Sequence, residues 1–140
     1  MNLEELWNDG FIPLIDGLIF SNGEIKLFDI TVYPKIKISF EGDGHLEKYL
    51  EEDPDDVTEY DIFGTNIIND KTLKFGAGGF GSDGFLACFS NNKIEWLLFS
   101  STINPVCKAS YVDQYFIFST DNEFDFRMSL DSNELIVSLN

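Results

Sequence analysis

From residue 85 onward the chain is a succession of short apolar runs separated by polar turns, and this is its strongest constraint on fold. The runs fall at residues 85–89, 94–100, 114–120, 124–130 and 134–139. The breaks fall at Asn91-Asn92, Asn104-Pro105, Asp121-Asn122 and Asp131-Ser132-Asn133. Within 124–130, Phe124, Phe126, Met128 and Leu130 alternate with Asp125, Arg127 and Ser129. Period two with an apolar and a polar set describes a strand with one buried and one wet face. Short strands joined by such turns predict a continuous antiparallel meander over 85–139.

The first half carries weaker versions of the same signals. Residues 2–9 are expected to form a short helix: Asn2 caps it, Glu5 completes a capping box, Gly10 ends it, and Leu3, Leu6 and Trp7 share a face. Residues 11–20 are strand-like but interrupted by Pro13 and Asp16-Gly17, and Ser21-Asn22-Gly23 supplies a tight turn into a strand at 24–33. Pro34 breaks that strand, and 35–40 alternates, with Ile36, Ile38 and Phe40 expected on the buried side. Residues 41–44 read as a turn, with Asp43 capping a second helix at 44–52 that buries Leu46, Tyr49 and Leu50 and stops at Pro54. An acidic loop is expected at 51–61, then strands at 62–68 and 71–75 around Asn69-Asp70. Phe-Ser-Asn recurs at 20–22 and 89–91, each time after an Asp-Gly but at a spacing that differs by about two residues. A true duplication would give two similar sheets or a pseudo-symmetric sandwich, whereas two similar hairpin turns give the same echo by chance, which is the expectation. The expectation is one domain over 1–140, mainly β, an antiparallel sandwich or strongly curved sheet with one or two short helices, an α+β arrangement remaining open. With 44% hydrophobic residues, fourteen of them Phe, the chain can build a core without a metal or a disulfide.

Charge bounds the partners. The formal net charge is −16, with nine Lys and Arg against twenty-five Asp and Glu. Binding nucleic acid requires cations that displace the counterions around phosphate, so DNA, RNA and anionic membranes are disfavoured and a basic protein is favoured. Residues 1–70 hold seventeen acids and four lysines, a net of −13, whereas 71–140 hold eight acids, four lysines and one arginine, a net of −3. Such asymmetry suggests that one face has a task. The amino terminus lacks the basic and apolar regions of a signal peptide, and no apolar run reaches the roughly 18 residues of a membrane span. Cys88 and Cys107 both sit in apolar, strand-like surroundings and read as small buried hydrophobes rather than a disulfide pair. These features point to the cytoplasm.

Chemistry-bearing patterns are few. Gly76, Gly78 and Gly81 spell G-x-G-x-x-G, but the following residues, Ser82-Asp83-Gly84 and then 85–89, are turn and strand rather than the helix whose amides hold a pyrophosphate. A glycine-rich loop, mobile and open to a contact role, is the expectation for 76–84. The acids at 51–61 lack the glycine of a calcium-binding turn. His45 is the only histidine, at an expected exposed position with no nucleophile drawn toward it, and one His with two separated Cys gives no zinc spacing. The reading is therefore no enzyme, no cofactor and no metal. The candidate site is a partner-binding ridge of Glu51, Glu52, Asp53, Asp55, Asp56, Glu59 and Asp61, with Tyr60 and Phe63 as aromatic anchors.

In size, acidity, β content and an Asn- and Ile-rich, Arg-poor composition, the chain resembles the immunity proteins of bacterial contact-dependent and polymorphic toxin systems. The resemblance implies a cytoplasmic protein that neutralises a basic toxin domain, such as a nuclease, by protein–protein binding. It carries no residue-level motif. Two other readings stay open: a small-ligand or carbohydrate-binding β domain, and a hydrolase working through paired carboxylates.

Overall fold

The computed structural model describes residues 1–32, 34–121, 124–130 and 134–139. In chain order the elements are α1 (Leu3–Asn8), β1 (Phe11–Pro13), β2 (Gly17–Phe20), β3 (Glu24–Thr31), β4 (Lys37–His45), α2 (Leu46–Glu52), β5 (Val57–Glu59) and β6 (Asp61–Ile68). There follow β7 (Lys71–Ala77), β8 (Gly84–Ser90), β9 (Lys93–Ser100), β10 (Val106–Val112), β11 (Tyr115–Thr120), β12 (Phe124–Ser129) and β13 (Glu134–Leu139). Every strand pairing is antiparallel. The large sheet runs β4-β3-β2-β9-β8-β7-β6, a second sheet runs β10-β11-β12-β13, and β1 pairs with β5 in a two-stranded ribbon. The fold is mainly β and sandwich-like.

Two apolar layers sandwich the large sheet. On one side Leu18, Phe28, Leu73, Leu86, Trp96 and Leu98 pack against Val106, Phe116, Phe118, Phe126 and Met128 of the second sheet. On the other side Ile19, Ile25, Phe85, Ala87, Leu97 and Phe99 pack against Leu3, Leu6 and Trp7 of α1, Ile12 of β1 and Leu46 of α2. This explains the unbroken apolar runs: the central strands β8 and β9 bury both faces, so alternation would place polar atoms in a core. Phe118 and Phe126 stack across β11 and β12 with centroids 4.9 Å apart.

Local signals account for the connections. The carboxamide of Asn2 accepts the Glu5 N–H at 2.8 Å and Glu5 returns the capping box to α1. Asn91 and Asn92, at φ 53° and 65°, form the tight β8–β9 turn, and Asn69 at φ 57° serves β6–β7. The two Phe-Ser-Asn segments end β2 and β8, and their hairpins lie side by side in the one large sheet rather than in two matching halves.

Several expectations are corrected. The stretch 85–139 is not one meander: β8 and β9 belong to the large sheet, and the chain crosses at Asn104-Pro105 into β10, a strand the sequence pattern hid. In β10 only Val106 and Ala109 are buried, because a bulge between Val106 and Lys108 disrupts alternation. The same bulge turns Cys107 outward, so it is exposed while Cys88 is buried; both are free thiols. Residues 41–44 are no turn but part of β4, where a bulge opposite Leu27 and Phe28 absorbs the extra residue. The α2 cap is consequently His45, not Asp43: His45 Nδ1 accepts the Glu47 N–H at 3.3 Å. Phe40, on the outer strand, is exposed, edge-on to Phe28 and 5.8 Å from the Lys26 ammonium. The end of the 24–33 strand at Tyr33, the break at Asn122 and the turn at 131–133 lie outside the described residues.

Candidate protein-binding face

The layer formed by α1, β1, α2 and β5 covers one face of the large sheet, and it gathers the charge. Residues 1–13 and 46–59 contain ten acids, Glu4, Glu5, Asp9, Glu47, Glu51, Glu52, Asp53, Asp55, Asp56 and Glu59, against one lysine, Lys48. The excess acidity of the first half is thus largely the acidity of one layer of the fold.

The expected acidic loop is shorter and more ordered than 51–61. Glu51 and Glu52 end α2, and Val57–Glu59 is already strand β5, paired to β1 as Phe11 with Glu59 and Pro13 with Val57. Only 53–56 is loop. It is held by the Asp53 N–H donating to Tyr49 O at 2.9 Å, the Asp55 N–H to Asp53 Oδ1 at 3.3 Å and the Leu14 N–H to Asp56 O at 2.9 Å. Glu51, Glu52, Asp53, Asp55, Glu59 and Asp61 are exposed and Asp56 is half-buried. Burial, reinforced by the neighbouring Asp53, raises the Asp56 carboxyl above its ordinary range.

The structure separates the two aromatics. Tyr60 turns inward: its ring stacks on Trp7 at 4.0 Å between centroids, and its hydroxyl donates to Trp7 O at 2.8 Å. Phe63 stays 55% exposed on β6, the outer strand of the large sheet, as the extra residue of a bulge between Ile62 and Gly64. Two residues that the sequence did not single out, Ile62 and Ile67, are exposed on the same strand.

A groove of about 500 Å³ opens beside the ridge. Its apolar lining comes from Met1, Leu6, Phe11, Leu50, Pro54 and Val57, and its charged lining is Asp9, Glu47 and Glu51. Leu6 is buried, whereas the three carboxylates are exposed and form a rim. Of the ridge residues, only Glu51 reaches it.

The glycine loop is smaller than 76–84 and is tied down. Gly76 lies within β7 and Gly84 within β8, leaving 78–83 as loop. The Asp83 carboxylate, fully buried, accepts the N–H of Gly78 at 2.9 Å and of Phe80 at 3.5 Å, and Thr58 Oγ1 accepts the Gly79 N–H at 3.0 Å. A Cβ at Gly78 would meet Asp83 Oδ2, and one at Gly79 would stand 2.7 Å from Thr58 Oγ1. These glycines let polar groups of the protein approach the backbone, which accounts for them without a phosphate. Phe80, at the tip, is 68% exposed.

The remaining reactive groups have structural surroundings. His45 caps α2 with its ring against Gly23, where an added Cβ would lie 2.6 Å from Cε1. Burial pushes the Cys88 thiol up to about 12, and burial with Asp121 also raises Cys107, the opposite of an activated nucleophile. Among the described residues no group of three or more His, Cys, Asp or Glu side chains could hold a metal ion, and no helix is long and apolar enough to cross a membrane. No family model matches the chain, and neither a curated protein nor a solved structure does.

Proposed function

We propose that this chain is a non-catalytic acidic binding protein of the immunity class, which neutralises a basic toxin domain in the cytoplasm by occupying its cationic surface. One observation carries the reading: a single layer holds ten acids against one lysine, and three of those acids line an apolar groove. Carboxylates at a rim steer a basic partner into encounter, and apolar contacts beside them supply the anchoring. A nuclease suits this face, since its substrate site must itself be cationic. The free thiols of Cys88 and Cys107 fit a reducing compartment.

The test is capture of the partner by the tagged chain from its native cells, followed by co-expression. The expected partner is a basic protein that arrests growth alone and is harmless with this chain, with an association rate that falls as salt rises. A partner of neutral or acidic charge, or saccharide binding insensitive to salt, overturns the proposal. So does hydrolytic turnover that His45→Ala abolishes.

A further inference from the structure

Building on that reading, we propose that the groove between α1, α2 and the β1–β5 ribbon receives a cationic amphipathic segment of the partner. Its apolar side chains enter between Leu6, Leu50 and Val57, and its flanking lysines or arginines meet Asp9, Glu47 and Glu51.

The lining selects this occupant. All three charged groups lining the groove are acidic and stand exposed, beside apolar walls that exclude water from whatever enters. Anions are repelled. A second copy of the chain would bring another −16 of charge to a face that is already acidic. A small polar ligand would find only carboxylate acceptors among the lining side chains, Asp9, Glu47 and Glu51, with apolar walls between them. Apolar walls with an acidic rim match an amphipathic helix that carries aliphatic residues on one face and cations beside them. The volume, about 500 Å³, is that of a pocket which takes a few large side chains rather than a folded domain. The groove is also pre-formed. The capping box fixes α1, the Asp53 turn fixes the end of α2, and the ribbon joins them, so little ordering opposes binding.

The probe is a synthetic helix of about fifteen residues with Leu at i, i+3, i+4 and i+7 and Lys elsewhere, compared with a Ser-for-Leu peptide of equal charge. Amide shifts and calorimetry read binding to the whole chain. The Leu peptide is expected to bind at least about tenfold more tightly than the Ser peptide, to shift the amides of Leu6, Leu50 and Val57, and to lose about tenfold on Glu47→Lys with Glu51→Lys. Both substitutions are at exposed positions, and an unchanged spectrum elsewhere verifies the fold. If both peptides bind equally, or if the shifts fall on β6, the groove is idle and this inference fails while the acidic-face reading stands. If neither peptide binds, both fail. A dimer in sedimentation whose contact shifts map to Leu6 and Leu50 also overturns the inference.

Discussion

Tyr60 lies flat on Trp7, 4.0 Å between centroids and 13° between planes, and its hydroxyl donates to the Trp7 carbonyl at 2.8 Å. The pair fastens α1 to the chain between β5 and β6. Tyr60 is therefore expected to matter for stability and Phe63 for binding. Tyr60→Phe should lower stability by about 1 kcal/mol through the lost hydrogen bond, and Tyr60→Ala by about 3 kcal/mol. Phe63→Ala, at an exposed position, should change stability by less than about 0.5 kcal/mol but weaken partner binding by about 1–2 kcal/mol. Denaturant melts and calorimetry on the same three variants check this; the reverse ranking would place the interface elsewhere. Burial also raises the Tyr60 hydroxyl above its ordinary 10. The unfolded chain then ionises first as pH rises, so this tyrosine contributes stability that is lost through its raised value, and Tyr60→Phe should flatten the alkaline limb of the stability profile.

The buried Asp83 carboxylate serves as the internal template of the 78–83 loop. Asp83→Ala leaves the Gly78 N–H without its partner in a buried setting and should cost about 1–3 kcal/mol. Gly78→Ala should be similarly damaging, because its Cβ would displace that carboxylate. Amide exchange offers a sharper readout: protection at Gly78 and Gly79 should vanish in Asp83→Ala while β9 stays protected. Nucleotides should leave the amides of 76–84 unshifted, and saturable shifts there would revive a phosphate-binding role for the glycine motif.

How far the sequence could be read depended on how local each cause was. Helix α1 was legible because Asn2, Glu5 and Gly10 act within a few residues of one another, and the β8–β9 hairpin because Asn91-Asn92 tolerates positive φ. The split of the C-terminal strands was not. Nothing at Asn104-Pro105 says that the chain changes sheets, and Trp96-Leu97-Leu98-Phe99 reads the same whether one or two layers cover it. Strand β10 and the C-terminal half of β4 were hidden by bulges, which break the period on which strand reading rests. The carboxylates of the candidate face were visible as composition. The groove was not, since Leu6, Leu50 and Val57 are ordinary apolar residues that only the packing of α1, α2 and β5 brings together. Nor could residue type separate Tyr60, held against Trp7, from Phe63, left in solvent.

Mild acid should stabilise the free protein. Asp16 is raised above its ordinary 3.8 by burial and, more weakly, by Asp29, despite the Ser101 N–H and hydroxyl that donate to its carboxylate at 3.0 and 2.8 Å. Asp56 is raised by burial and Asp53. For both groups the folded state takes up its proton first as pH falls, so stability increases from neutral pH down through their raised values and levels off below 3.8. Thermal melts between about pH 7 and 4 should show the rise, and Asp16→Asn with Asp56→Asn should remove much of it. A monotonic loss of stability over that interval would contradict the placement of both carboxyls.

Neutralising the ridge separates steering from anchoring. Asp53, Asp55 and Glu59 are exposed and Asp56 half-buried; among the described residues none of the four side chains accepts a hydrogen bond from a distant element, and Asp53 Oδ1 accepts from the Asp55 N–H. Replacing them by Asn and Gln should therefore keep the fold and, by relieving like-charge repulsion, leave stability equal or slightly higher. Exposed pairs contribute roughly 0.2–1 kcal/mol each, so four of them should lower affinity for a basic partner by about 1–4 kcal/mol, mostly through the association rate. That loss should shrink as salt is raised, because screening removes from the wild type what the substitutions remove from the variant. Stopped-flow mixing at two ionic strengths resolves it. An unchanged association rate at low salt would reduce the ridge to a solvated turn and leave binding to Phe63 and its exposed β6 neighbours Ile62 and Ile67.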